Sequence, residues 1–399
     1  MNDARWRVLI AGFLCYAFDA MDFMVLALSL SAISKEWQLT ASQAGLLGTA
    51  GLLGVGLSSV VVGWYADNYG RRRALAICVA LFAFFTSAGA WAQDWLQLLT
   101  LRFLAGIGLG GTWGVVAAYV HEAWPAKHRG RAIAWVMSSW PIGYIVAALI
   151  ARVVLPEFGW RRLFLLGGGA VLGALYVALF VPESAEWLQK RRERAAQPTA
   201  DGHGAAGGHS RIREIFAPEY RRNTILGTLA AACAVSGYWG ASSWLPTYLQ
   251  RERGLAVTDM ADFIIVLNIG MFIGYQAFGW IADQWGRRRA LLLCFFGATL
   301  LLPLYVSIGS LSLQYACGPV LGFFFAYTAP FGAYFPRLYP THIRSLGAGF
   351  CFDVGRGISA FAPFAFGSLA TSIGLGASVG WCAVAFGLAF LVMLRLPDV

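Results

Sequence analysis

Gly63-Trp-Tyr-Ala-Asp67-Asn-Tyr-Gly70-Arg71-Arg72-Arg73-Ala-Leu75 decides how this chain is read, because it occurs twice. It returns as Gly279-Trp-Ile-Ala-Asp283-Gln-Trp-Gly286-Arg287-Arg288-Arg289-Ala-Leu291, 216 positions later. In each copy an acid and three arginines flank a glycine, and long apolar stretches lie on both sides. A second pair keeps nearly the same offset: Pro125 and Arg129 are matched by Pro340 and Arg344, 215 positions on. Two separate loops repeating at almost one offset mean that a unit of half the chain has been duplicated.

The composition says what kind of unit it is. The 399 residues are 58% hydrophobic and 13% charged, with a mean hydropathy of +0.62. A soluble domain carries about a quarter charged residues. Apolar stretches of about 20 residues, each long enough to cross a bilayer, recur along the whole length. The expected helices run over 8–33, 44–66, 74–92, 96–121, 131–154 and 161–181. The second set runs over 223–249, 261–282, 290–309, 313–337, 345–369 and 377–396. The fold expected is an all-α membrane protein: twelve transmembrane helices in two six-helix pseudo-symmetric bundles. Residues 1–182 form the first bundle, 183–222 a cytoplasmic linker with a basic run from Lys190 to Arg194, and 223–399 the second bundle. Such repeats place a binding site at their interface, near mid-membrane.

The net charge of +10 is read as topology, not as affinity for nucleic acid. Arginines and lysines crowd the loops on the side of the two termini. The other side receives only Lys35, Arg152, Arg161, Arg162, Arg251 and Arg253. With positive charge retained inside, both termini are expected in the cytoplasm and the chain in the cell inner (plasma) membrane. The first apolar stretch contains two aspartates and lacks a small-residue cleavage site, so it is expected to remain as the first helix. The seven cysteines all fall in expected spans without metal-ligand spacing and read as small core residues. No metal or cofactor is expected. No phosphate-binding glycine loop and no Ser-His-Asp constellation is present, which argues against an enzyme.

Charges inside apolar spans are costly and mark functional positions. Five stand out: Asp19 and Asp22 on the first helix, Arg102 on the fourth, and Asp353 and Arg356 on the eleventh. His121 and His342 fall at helix ends, so any proton carried across must ride on a carboxylate. Asp19 and Asp22 share a helix face, and two acids so close in low dielectric do not readily ionise together. Arg102 is a candidate partner or substrate ligand, and Gly106 and Gly110 after it allow close helix packing. Asp353 and Arg356 are again three apart. They read either as a neutralised internal pair or as an acid that holds Arg356 until an anionic substrate takes part of its charge. A guanidinium suits a carboxylate because it donates two parallel hydrogen bonds. Trp140, Tyr144, Tyr238, Asn268, Gln276 and Tyr327 are further candidate substrate contacts. Proton coupling is assigned to Asp19, Asp22 and Asp353. Gly63, Asp67, Gly70, Arg71 and Arg73, with Gly279, Asp283, Gly286, Arg287 and Arg289, are expected to form a cytoplasmic gate whose pairs separate when the inner face opens.

The repeated loop, placed after the second and eighth helices, resembles that of the major facilitator superfamily over essentially the whole chain. Asn68 departs from it, standing where a second basic residue is usual. Phe18-Asp19-Ala20-Met21-Asp22-Phe23, Gly110-Gly111-Thr112-Trp113-Gly114 and Gly349-Phe-Cys-Phe-Asp353-Val-Gly355-Arg356 are most similar to sialate- and lactate-type organic acid:proton symporters. The aromatic acid:proton symporters are close behind. The resemblance implies uptake of a small organic anion with protons by alternating access, with the lipid bilayer as the other partner and a single chain as the working unit. Two departures bear on this: Thr112 stands where that family has Glu, and Asp353 where it has Asn. A drug or metabolite exporter of the same fold, and a non-transporting membrane sensor, remain as alternatives. The exporter would favour cationic or neutral apolar compounds, for which Arg356 is poorly suited.

Overall fold

The computed structural model describes residues 2–125, 128–196, 213–340 and 343–399. The middle of the expected linker, 197–212, and His342 lie outside the described residues. Among the described residues no strand occurs. The first three spans are Asn2–Glu36, Ala41–Tyr69 and Arg71–Ala88. The fourth runs Trp95–Leu109 and resumes at Thr112–Ala123. The fifth and sixth share the segments Arg129–Met137, Ser139–Gly167 and Val171–Phe180, with a reversal at Gly159. A short helix, Ala185–Ala196, follows. The seventh to ninth are Pro218–Arg251, Val257–Trp285 and Arg287–Ser307. The tenth runs Leu311–Phe324 and Thr328–Tyr334, the eleventh Arg344–Ser359 and Ala362–Ile373, and the twelfth Leu375–Met393.

Among the described residues nine continuous stretches are long and apolar enough to cross a bilayer, ten if Ala41–Ser59 and Val61–Tyr69 count as one bent span. Twelve is reached because Arg129–Phe180 is two spans and the eleventh is broken near its middle. Gly159 has φ +72 inside the long stretch, where a helix cannot continue. Just after it, Trp160 and Arg161 donate to Glu36 at one end of the first span. Phe180 meets Arg7 at the other end, where Arg7 Nη1 donates to its carbonyl at 3.4 Å. The chain therefore doubles back at Gly159. The face that carries both termini and the repeated loops is called here the terminal face, and the opposite one the distal face.

Local chemistry sets the helix ends. Thr40 and Gln43 form a reciprocal capping box on the second span, and Asp94 caps the fourth by accepting from Gln97 N–H. Gly106 fits directly onto the carbonyl of Gly51, and Gly110 onto Val55 and Ser58, so the fourth span lies close against the second.

The duplication reaches into backbone geometry. Gly70 and Gly286 both sit at the turn of the repeated loop, with φ +108 and ψ 152 against φ +99 and ψ 146. Only glycine adopts that conformation without strain. A third correspondence emerges from the hydrogen bonds. Tyr119 on the fourth span donates to the Pro182 carbonyl, where the sixth span ends. Tyr334 on the tenth donates to the Pro397 carbonyl, just beyond the twelfth, at 2.6 Å. Both tyrosines and both prolines are 215 positions apart.

Candidate functional site

The bundles are pressed together at the distal face. Gly45 and Gly48 on the second span lie against Pro363 on the eleventh, and Phe364 N–H donates to Thr49 Oγ1 at 3.3 Å. Arg251 of the seventh span donates to the Ser31 carbonyl at 3.1 Å, and Arg152 pairs with Asp262 at 3.1 Å. Each of these contacts joins one half to the other. A space of about 20 Å³ lies between them, lined by Phe23, Leu30, Gly45, Ser243, Trp244 and Pro363 among others.

The terminal side is open. A cavity of about 730 Å³ runs from Asp353 and Arg356 past Trp113 and Phe352 to Glu122, Glu186 and Pro336. Its walls are the second, fourth and fifth spans on one side and the tenth and eleventh on the other. The breaks in the fourth and tenth spans fall beside it, at Gly110–Gly111 and next to Thr328, where irregular backbone borders a cavity instead of lipid.

At its deep end the cavity meets a second chamber of about 50 Å³, enclosed by Tyr16, Trp140, Tyr238, Trp239, Tyr275 and Tyr327 with further aromatic and apolar residues. Trp113, Met137, Thr328, Phe352 and Arg356 line both. Tyr16 packs on Trp113 at 5.0 Å and on Trp140 at 5.1 Å between ring centroids. Trp140 Nε1 donates to the Tyr238 hydroxyl at 2.8 Å, a buried hydrogen bond between the halves. Arg356 is the cation of this chamber. Among the described residues its guanidinium has neither an ion pair nor a side-chain hydrogen bond. The result is an uncommitted guanidinium in a wall of flat aromatic faces, which suits a planar anion that can take two parallel hydrogen bonds at one end and ring contacts along its length.

The two acids of the first span have different surroundings. Asp22 is fully engaged: Arg102 Nη2 donates to its Oδ2 at 2.8 Å, Arg102 Nη1 to its Oδ1 at 3.2 Å, and Thr86 Oγ1 also to Oδ1. Arg102 is 1% exposed and Asp22 2%, and neither lines a cavity. Asp19 is also buried, yet among the described residues neither of its oxygens has a hydrogen-bond partner. Asp353 is exposed to the large cavity, and no ion pair within 4.0 Å joins it to Arg356. Of the remaining expected substrate contacts, Trp140, Tyr238 and Tyr327 line the aromatic chamber. Tyr144 is buried and packs against Trp140, with ring centroids 5.6 Å apart. Asn268 is buried with its amide donating to the Ile264 carbonyl at 2.8 Å, and Gln276 is exposed outside both cavities.

The first repeated loop sits at the cavity's mouth: Gly63 lines it, and so does Glu122, which Arg71 holds. Arg71 Nη1 pairs with Asp67 at 2.5 Å and Nη2 with Glu122 at 2.9 Å. Glu183 accepts from the backbone N–H of Arg71 at 2.9 Å and of Arg72 at 3.1 Å, capping the third span. Trp187 Nε1 donates to the Asp67 carbonyl at 2.8 Å. All of these bonds stay within the first half and its continuation into the helix Ala185–Ala196. Arg73, Asp283, Arg287 and Arg289 make no ion pair among the described residues. In the second half Arg288 instead caps the twelfth span, donating to the carbonyls of Met393 and Leu394 at 3.2 and 2.6 Å. Sequence reading missed Glu122, Glu183 and Trp187. The signal for the last two was Pro182-Glu183-Ser184 directly after an apolar span, read there as the start of a linker.

With this geometry in hand, comparison with known proteins gives concordant matches. The family model described as Major Facilitator Superfamily matches residues 12–363. A cis,cis-muconate transport protein of Acinetobacter baylyi is 32% identical over 397 residues, covering 98% of this chain and 93% of the relative. A putative metabolite transport protein of Haemophilus influenzae is 31% identical over 399 residues, covering 99% and 97%. Among solved structures, a bacterial homologue of the human lysosomal transporter Spinster, inward-facing and unoccupied, superposes with a TM-score of 0.77. It is 18% identical and covers 99% of this chain and 98% of its own.

Proposed function

The chain belongs to the major facilitator superfamily, a multi-pass membrane transporter and not an enzyme, and from that premise we propose that it imports a small planar organic carboxylate together with protons. The observation that carries this reading is the uncommitted Arg356 guanidinium in the aromatic chamber. A cationic or neutral apolar cargo would offer that guanidinium neither a charge nor a pair of acceptors to hold. The muconate carrier among its relatives moves a flat, conjugated dicarboxylate, which fits the same wall. The terminal face is the cytoplasmic one in this reading, and the membrane is the cell inner (plasma) membrane.

Cargo enters from the distal face, between the second and eleventh spans. The halves then rock to the form described here, and the cargo leaves through the 730 Å³ cavity. Asp67, Arg71 and their counterparts Asp283 and Arg287 close the mouth again. Asp19 is assigned the proton. A buried carboxylate ion with no donor is poorly tolerated, whereas the neutral acid is not. Asp22 is held by Arg102 and Thr86 and fixes the first span against the third and fourth. One proton with a monoanion moves no net charge. A dianion needs two for neutrality, because each uncompensated charge works against about 2.3 kcal/mol per 100 mV.

The test is uptake into liposomes holding the purified chain, with a pH gradient imposed and labelled cis,cis-muconate, hydroxybenzoate, lactate and sialate offered in turn. Accumulation of a carboxylate above its outside concentration supports the reading. Expulsion of an amphipathic cation, with no acid taken up, overturns it. Arg356→Lys keeps the charge but loses the two-pronged geometry, and is expected to raise KM about tenfold or more.

A further inference from the structure

Arg356 and Asp353 occupy one face of the eleventh span, three residues apart, yet play unequal parts in the cavities. Arg356 lines both the aromatic chamber and the open cavity. Asp353 lines only the open cavity, one turn nearer the terminal face, where its side chain is exposed. The spacing lets the two side chains meet by a change of rotamer alone, but no ion pair joins them here. An anion that leaves Arg356 through the open cavity moves along the wall that carries Asp353, one turn farther out, and beyond it the lining carries Glu186 and Glu122, the latter held by Arg71. No anion arriving from the distal face meets Asp353 before it meets Arg356.

We infer that Asp353 is a release residue: a built-in carboxylate that displaces the cargo's carboxylate from Arg356 once the cavity has opened to the terminal face. This rests on the anion reading of the site given above. Cargo and Asp353 compete for one guanidinium, and both cannot hold it in the same two-pronged way. Asp353 is tethered beside its target, so its effective concentration is high and does not fall as cargo diffuses away. Its like charge also disfavours re-entry of the anion from the terminal side. The consequence is sidedness: affinity for the anion is weakened on the terminal side and untouched on the distal side, and net import is favoured over rebinding.

The experiment uses the full chain in membrane vesicles of both orientations, with the carboxylate that the wild-type chain accumulates. Asp353→Asn is close to isosteric and faces water, so folding is retained. The expected result is a KM on the terminal side about fivefold lower or more, with an unchanged KM on the distal side. Net uptake slows because release becomes limiting, and exchange of internal for external cargo slows with it, since both pass through the same release step. The final accumulation ratio is unchanged, only reached later. Asp353→Glu restores the wild-type asymmetry. Equal KM changes on both sides, or none, overturn the inference. A loss of uphill accumulation at all times overturns it too, because Asp353 would then carry the proton. If wild-type vesicles move no carboxylate at all, it is the anion reading that has failed, and the two failures are told apart.

Discussion

The hydroxyl of Tyr334 donates to the carbonyl oxygen of Pro397 at 2.6 Å. Tyr119, 215 positions earlier, makes the same bond to Pro182. In each half a cavity-side span is thereby tied to the chain just past the last span of its bundle. Each bond satisfies a carbonyl that lies beyond the end of its span and outside any helix. Tyr119→Phe and Tyr334→Phe are each expected to cost about 1 kcal/mol. Thermal melts in detergent should fall by a few degrees for each, and the double variant should show the sum, since the sites lie in different bundles. A tyrosine whose loss leaves the melt unchanged holds nothing.

Asp22 and Arg102 make a different prediction from the one their sequence spacing invites. Read from sequence, Asp22 is as good a proton carrier as Asp19. In the structure it is one half of a buried ion pair, 2.8 Å from Arg102 and further fixed by Thr86. Asp22→Asn leaves an uncompensated guanidinium inside the bundle, which costs about 3–5 kcal/mol. The expected outcome is a sharp loss of folded protein in size-exclusion profiles. Adding Arg102→Met should recover much of it. A stable Asp22→Asn chain that merely loses coupling would return the proton to Asp22.

Asp19→Asn removes an acid that no side chain bonds, so the fold is expected to survive. Exchange of labelled for unlabelled cargo should proceed, while accumulation driven by a pH gradient should vanish. Uphill accumulation at the wild-type level would exclude Asp19 as the carrier.

The fold was legible in the sequence because the duplicated loop has a backbone requirement that only glycine meets. Gly70 and Gly286 adopt nearly the same positive-φ conformation, and each copy names the other. Hydropathy found the spans but not their interruptions. The breaks after Leu109, Phe324 and Ser359 lie in runs as apolar as their surroundings, so hydropathy passes over them; the local signal for the last was Pro363, in the first turn of the resumed helix. The five intramembrane charges were all visible, and so was Arg102 as a candidate partner for the acids of the first span, but not which acid would be left alone. Helix rotation sets Asp22 on Arg102 and leaves Asp19 three residues away without a bond, and a single sequence carries no direct record of rotation. The Tyr119–Pro182 and Tyr334–Pro397 pairs escaped because one residue matched at a distance of 215 is invisible until a hydrogen bond singles it out.

The distal seal gives a prediction that reads the conformational equilibrium directly. A Cβ at Gly45 would lie 2.5 Å from the Pro363 carbonyl oxygen and 2.9 Å from Phe364 Cα. Both are backbone atoms, so no rotamer change relieves the overlap, and the second and eleventh spans must part. In a well-packed contact such an overlap costs about 1–3 kcal/mol. That penalty falls only on the form closed at the distal face, so Gly45→Ala should raise the population open there by about fivefold to a hundredfold. Gly169→Ala is the control, because its Cβ would meet nothing within 4 Å and it lies away from both gates. Ser243 lines the narrow distal space and serves as the reporter. With Ser243→Cys in a background whose native cysteines are replaced, a membrane-impermeant thiol reagent applied from the distal side should label the Gly45→Ala chain faster than the parent. The Gly169→Ala chain should label at the parent rate. Equal rates in all three would mean that the Gly45–Pro363 contact does not hold the distal face shut, and the seal would then fall to Arg152–Asp262 and Arg251–Ser31.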